Sequence, residues 1–253
     1  MVVVETDKEF ESFAKSFSEF DSIVIPIECD FNKHPKDTNL CLLFVKTISE
    51  NSKEFILPFR HADALNLSSL KLENIWTSKT VFTYDKKKLL SFFDWKNVSD
   101  VNMRYYLEQN DTIDLEGVTT NSHEFFARQY YKKSNINCVI PLMKHLEWCR
   151  KMVEKIKLSI FAGRKENDSV FKIYNEDVLE SLQTIESNGI QTTNGMVYSE
   201  YNPYTATGRP SNRFGGLNFA ALNKKDGSRK KFISRYGKEG MLVEMDYDAY
   251  HLR

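Results

Sequence analysis

Three apolar runs of strand length, Ser22–Glu28, Leu40–Lys46 and Glu54–Pro58, follow one another with only polar turns between them. Runs of this length and spacing predict three strands and commit the front of the chain to a sheet. Ahead of them, Thr6-Asp7-Lys8-Glu9 reads as a capping box. It opens a helix whose Phe10, Phe13, Ala14 and Phe17 share one face. Behind them the pattern predicts a short helix near Ala62–Leu65, a strand over Lys79–Tyr84 and a helix starting within Asp85–Phe93. The order, three strands and then α, β, α, implies a mixed α/β fold.

Further on, residues 110–136 are polar and read as a connection, Leu142–Ile160 as a helix, and Lys165–Ser169 as a linker. Asn175-Glu176-Asp177 starts an amphipathic helix through Leu179, Leu182 and Ile185, stopped by Asn188-Gly189. Met196-Val197-Tyr198 is a candidate strand. Two units are therefore expected, residues 1–165 and 170–253.

The chain balances 35 basic against 35 acidic residues, yet the two signs are segregated. Residues 1–30 carry eight acids and two lysines, whereas Thr205–Lys238 carries nine Lys or Arg and one acid, Asp226. A basic run interleaved with Gly, Phe and Asn is the pattern of a phosphate-backbone contact. Hydrophobic content of 41% suffices for a core, and 253 residues allow one large or two modest domains. Cysteines 29, 41, 138 and 149 form no C-x-x-C pair and have no histidine at ligand spacing. That pattern argues against zinc and for a reducing compartment, with the cytoplasm the expected location. There is no signal peptide and no 18-residue apolar run, so no membrane is expected. His34, His61 and His123 lie in polar stretches and read as surface residues.

Two stretches carry chemistry. Met241-Leu242-Val243-Glu244-Met245 is short and apolar enough for a buried strand, and Asp246-Tyr247-Asp248-Ala249-Tyr250-His251-Leu252-Arg253 follows it. A carboxylate at a strand end is fixed in place, as Mg²⁺ coordination and two-metal phosphoryl transfer require. Upstream, Gly208 in Thr205-Ala206-Thr207-Gly208-Arg209-Pro210-Ser211 permits a tight turn. Arg209 beside it offers a planar fork for a phosphate or a base edge.

Thr205–Ser211, then Arg229-Lys230-Lys231-Phe232, then the Asp246 motif resemble, in order and spacing, the palm entry of family A DNA polymerases (the DNA polymerase I family). Those read T-x-T-G-R-x-S, R-x-x-F and D-Y-S-Q-I-E-L-R. Ile185-Glu186-Ser187-Asn188-Gly189-Ile190 is similar to the helix end that precedes the thumb, although only Gln191–Tyr204 stands where the thumb would be. The resemblance implies two Mg²⁺ ions held by Asp246 and the carbonyl of Tyr247. It gives Arg209 a catalytic place at the primer end and the incoming nucleotide, and Arg229 a template or nucleotide contact. Thr207, Arg213, Asn218, Lys230 and Lys231 extend the DNA-binding strip. His251 stands where the family has the Glu that packs on the nucleotide sugar. The implied partners are primer-template DNA, a dNTP and a second polypeptide carrying the rest of the palm and the fingers.

The front unit is similar to the ribonuclease H-like proofreading exonuclease that precedes the palm in that family. Its first acidic motif, D-x-E, reads Pro26-Ile27-Glu28 here, leaving Glu28 and Asp30. Asp85 matches the second motif. In place of the third, Y-x-x-x-D, stand His145 and Glu147. A degenerate exonuclease is therefore expected. A non-catalytic DNA-binding scaffold and a residual 3′–5′ exonuclease are the alternatives.

Overall fold

In the computed structural model, residues 1–31, 33–115, 135–162, 168–212, 222 and 225–243 are described. A six-stranded sheet forms the centre, in the order β1-β4-β3-β2-β5-β6. The strands are β1 (Val2–Val3), β2 (Ser22–Glu28), β3 (Leu40–Thr47), β4 (Glu54–Pro58), β5 (Val81–Thr83) and β6 (Val98–Asp100). β2–β3 and β3–β4 pair antiparallel. β1–β4, β2–β5 and β5–β6 pair parallel, which makes this a mixed α/β fold.

β2 is buried along its whole length because helices cover both faces. Val24, Leu43 and Val45 face one core, shared with Phe13 and Phe17 of α1 (Asp7–Glu19). Ile23, Ile25, Ile27, Leu42 and Phe44 face the other. There, Leu146, Cys149, Met152, Val153 and Ile156 of α5 (Leu142–Ala162) pack from a three-to-four-residue stripe. The capping box at α1 forms as its residues predict. The Glu9 N–H donates to Thr6 Oγ1, while Glu9 Oε2 accepts from the Thr6 N–H at 2.9 Å.

Pro26 lies inside β2, where a missing N–H would normally break a ladder. It is tolerated because β2 pairs with β5 only through Ser22 and Ile23, so the strand is an edge on that side by Pro26. Next to it, Ile27 opposes Leu42 but Glu28 opposes Leu40. Cys41 is thus the extra residue of a β-bulge, a device that re-aims side chains at a strand end.

The helix expected near Ala62–Leu65 is absent. Those residues form turns, and the short α2 follows at Ser69–Glu73. α3 (Lys86–Leu90) is capped by Asp85, and α4 (Val101–Gln109) by Asp100. The expected linker at 165–169 is in part helical: α6 (Asp168–Lys172), a π-turn (Ile173–Val178) and α7 (Leu179–Asn188) run on without a break. α7 ends at Gly189, as read from the sequence. Gly189 has φ +56°, and a Cβ there would meet the Tyr198 ring at 2.7 Å. Two small antiparallel ribbons complete the described chain. One is β7 (Ile190–Thr192) with β8 (Gly195–Val197), the other β9 (Tyr201–Asn202) with β10 (Ser211–Asn212).

The helical stretch is fastened to the sheet by polar groups. Asn175, in the π-turn, donates from Nδ2 to the Val98 carbonyl and accepts the Asp100 N–H on Oδ1, both at 2.9 Å. Its amide therefore does for the edge of β6 what a neighbouring strand would do. Lys86 Nζ, wholly buried, donates to the Asn175 carbonyl at 2.7 Å and to Glu180 Oε1 at 2.8 Å. Lys87 Nζ donates to Glu186 and, at 2.6 Å, to the Tyr201 carbonyl.

The Lys87–Glu186 pair is buried on both sides, with 5% and 7% of the two side chains exposed. Burial pushes the Glu186 carboxyl above its usual range, and the Lys87 ammonium pulls against that. Removing one partner strands the other, which typically costs about 3–5 kcal/mol. Lys87→Ala should lower unfolding free energy in urea by that order. Lys87→Met combined with Glu186→Leu should recover most of the loss. If Lys87→Ala matches wild type, the pair does not hold α7 to α3.

Candidate active site

Three acids stand in a row because β2, β5 and β6 run parallel and end at the same edge. Ligand sites of α/β sheets form outside such carboxyl ends. Glu28 closes β2, Asp85 follows β5, and Asp100 closes β6. Glu28 and Asp100 are buried, at 6% and 1% exposure. Two of the three acids also start helices. Asp85 Oδ1 accepts the Lys88 N–H at 3.0 Å. Asp100 accepts from Met103 N–H at 2.7 Å on one oxygen and from Lys86 N–H at 2.8 Å on the other.

A cation already sits in the row. Lys88, one turn past Asp85, places Nζ 2.6 Å from Glu28 Oε1. Burial works against its charge, but the charge and hydrogen bond of Glu28, with Asp85 and Glu200 behind, hold its pKa above the ordinary lysine range. Asp100 moves the other way. Burial, and then the charge of Asp85, raise its pKa to about 7, against its two backbone hydrogen bonds and Lys86.

These residues do not fit a pair of Mg²⁺ ions. Pro26 supplies no ligand, and an ammonium is bound to Glu28. The remaining acids are engaged elsewhere. Asp30 lies 3.9 Å from Lys33, and Glu147 pairs with Lys144 and Lys151 along its own helix. The His145 ring sits 2.9 Å from the Asn137 carbonyl in the interior, so neither third-motif candidate joins the row.

Beside the row opens a cavity of about 520 Å³, lined among others by Tyr84, Asp85, Asn102, Tyr106, Tyr204 and Ala206. Burial, with Asp100 and Asp85 next, lifts the Tyr204 phenol well above its usual pKa, so it stays protonated. The turn expected at Gly208 leaves this wall. Gly208 takes φ +69° and its N–H donates to the Thr205 carbonyl at 3.0 Å. Thr205 Oγ1 donates to the Arg209 carbonyl at 2.8 Å, and Thr207 and Arg209 are exposed.

The second basic motif forms a 3₁₀ turn, Ser228–Lys231, with Arg229, Lys230 and Lys231 exposed. Backbone groups anchor it to β7. Thr193 N–H donates to the Lys231 carbonyl at 2.9 Å, and Ile233 N–H to the Gln191 carbonyl at 3.0 Å. Thr192 and Phe232 form an antiparallel bridge. Arg235 donates to the Asn188 and Gly189 carbonyls at 2.9 and 3.1 Å, closing the C-terminal end of α7. Arg213, Asn218, Asp246, Tyr247 and His251 lie outside the described residues. The strand expected at Met241–Met245 is not formed at Met241, Leu242 and Val243, which are exposed coil.

One other expectation is corrected. His34 and His61 are buried, at 4% and 2% exposure, and their Nδ1 atoms accept the loop N–H groups of Lys36 and Asp63. Three of the four cysteines converge despite their spacing: Cys29, Cys41 and Cys138 bring their sulfurs within 4.8 Å of one another. Lys88 and Asp100 were not singled out in the sequence. A lysine one helical turn after a capping Asp was the available signal. Among the described residues no helix is long and apolar enough to cross a membrane. Compared with known proteins, the chain matches no family model, and no curated protein is significantly similar to it.

Asp100 generates a pH test. Its folded pKa of about 7 lies above the unfolded carboxylate value, so the native state holds the extra proton. The stability it contributes is complete below about pH 4 and fades as pH rises through about 7. A ¹³C titration of the Asp100 carboxyl should show a midpoint near 7. A midpoint in the ordinary carboxylate range would mean the row is more hydrated than this geometry allows.

Proposed function

We propose that the chain is the N-terminal portion of a family A DNA-directed DNA polymerase, an inactive exonuclease-like unit leading into the palm. One observation carries the reading: Thr205–Ser211, Arg229–Phe232 and Asp246–Arg253 stand in the family's order and spacing. The front sheet supports it, since an antiparallel meander of β2, β3 and β4 continued by parallel β5 and β6 suits a ribonuclease H-like unit. So does the exposure of Arg209, Arg229, Lys230 and Lys231 on turns held by backbone hydrogen bonds.

In this reading Asp246 and the Tyr247 carbonyl would hold Mg²⁺, which would supply positive charge for phosphoryl transfer. A second carboxylate and the triphosphate-binding fingers come from residues beyond the motif or from a second polypeptide. Primer-template DNA and a dNTP are the substrates. The front unit contributes no cleavage, because an ammonium stands on Glu28. A second reading, a non-catalytic DNA-binding scaffold, draws on the exposed cations alone.

Primer extension separates the two. The 253-residue chain by itself should give no synthesis. Adding a polypeptide with the downstream palm and fingers should restore it, and Asp246→Ala should abolish it again. If DNA is bound but synthesis never returns, the scaffold reading stands instead.

DNA binding should weaken steeply with salt, since released counterions drive it. Lys230→Ala with Lys231→Ala should flatten the log–log slope by roughly one unit per lost contact. An unchanged slope would place the DNA on another surface.

A labelled 3′ end should survive long incubation with the protein and Mg²⁺. Trimming that disappears in Glu28→Ala or Asp85→Ala would instead establish a working exonuclease.

A further inference from the structure

The three converging thiols come from three separate pieces of chain. Cys29 follows directly on β2, Cys41 is the bulged residue of β3, and Cys138 ends a 3₁₀ turn, Ile136–Cys138. None of the three is in a disulfide, and all three Sγ atoms lie within 4.8 Å of one another. Tetrahedral thiolate ligands at Zn–S distances of about 2.3 Å sit about 3.8 Å apart. A contraction of an ångström or less would therefore bring them into register around one ion.

The scaffold behind the sulfurs is firmly built. Asn137 fixes the turn to the end of β2 twice, from its N–H to the Cys29 carbonyl at 3.1 Å and from Nδ2 to the Glu28 carbonyl at 2.6 Å. The Cys138 carbonyl accepts the Ala62 N–H at 2.8 Å, which ties the turn to the segment after β4. Cys29 N–H donates to the Asn39 carbonyl at 2.8 Å, so the bulge holds Cys29 and Cys41 side by side. Orientation of ligands by such backing hydrogen bonds is what metal sites require.

Access also suits an ion. Cys29 and Cys41 are buried, while Cys138 is half-exposed and leaves a way in. His61 is beside the cluster but committed: its Nε2 lies 2.9 Å from the Ile140 carbonyl and its Nδ1 accepts the Asp63 N–H. It backs the site rather than completing it. The plain alternative is three small apolar residues filling a core, a common use of cysteine. Against it, three of only four cysteines, from positions 29, 41 and 138, meet at one point that reaches the surface.

We infer that Cys29, Cys41 and Cys138 form a binding site for a thiophilic divalent cation of the Zn²⁺ class, with water on the open side at Cys138. The ion would join the ends of β2 and β3 to the turn that carries Cys138, directly behind Glu28. The site is independent of the polymerase reading.

The test is metal content of the full chain, purified under reducing conditions and reconstituted with Zn²⁺. The expected result is one tightly held zinc per chain, surviving a competing chelator at equimolar concentration. Co²⁺ in its place should give the absorption of a tetrahedral thiolate site. Cys138→Ser, at the half-exposed position, should lose the metal while keeping the far-ultraviolet circular dichroism of wild type. Cys149→Ser, elsewhere on α5, should keep it. Zinc well below one per chain in folded wild-type protein would overturn the site. So would zinc retained by the Cys29→Ser, Cys41→Ser, Cys138→Ser triple variant, or a disulfide within the trio that re-forms in preference to metal uptake.

Discussion

Three consecutive lysines at the start of α3 tie the molecule together at one point. Successive helical residues diverge by about 100°, so Lys86, Lys87 and Lys88 leave the helix in three directions. Lys86 reaches the π-turn and Glu180, Lys87 reaches Glu186 and β9, and Lys88 reaches Glu28 at the end of β2. Burying ammonium groups is costly unless each is paired and hydrogen-bonded. Here Lys86 and Lys87 each have both a carboxylate and a backbone carbonyl. The contacts fix where the Asp168–Asn188 stretch sits on the sheet, and through Tyr201 they fix the wall of the neighbouring cavity. The acid row and the cavity are thus consequences of how α3 is satisfied.

Much of the front sheet was legible because its signals are local. Ser22–Glu28, Leu40–Thr47 and Glu54–Pro58 are apolar runs bounded by turns, and Thr6 with Glu9 closes its capping box within three residues. Asn188-Gly189 was readable for the same reason, since only glycine fits under Tyr198. β6 was not legible. Val98–Asp100 is three residues long, and it is an ordered edge because Asn175, far along the chain, bonds the Val98 carbonyl and the Asp100 N–H on its outer side. No window around residue 98 contains that information. The segments at 241–243 show the converse: an apolar run promises a strand, but Met241, Leu242 and Val243 find no partner surface among the described residues and stay exposed.

The candidate site was half legible for a related reason. Glu28 and Asp85 could be found as acids at strand ends, while Asp100 was hidden with its strand. The two readings of such acids, helix cap and functional carboxylate, are not exclusive here, because Asp85 and Asp100 accept backbone N–H groups and still line the row. The burial of His34 and His61 and the meeting of three cysteines were not legible, because polarity and spacing report only on neighbours in sequence. His34 and His61 lie in polar stretches but are enclosed by loop backbone. Cys41 reaches Cys29 through a bulge, and Cys138 arrives on a turn fastened by Asn137.

Lys88 decides what the acid row can do. Carboxylates this close repel one another, and burial deepens the penalty, so the fold needs positive charge there whatever its chemistry. Two divalent ions would meet that need and also polarise a water and a leaving oxygen. An ammonium meets only the first part: it carries one charge, has no vacant coordination position, and stays protonated while Glu28 faces it. Asp100 shifts in the matching direction, keeping a proton near neutral pH rather than adding a further charge. The charge at the strand ends is therefore balanced by an ammonium and a retained proton. That balance lets buried acids close β2 and β6 while the sheet still carries the helices packed on it.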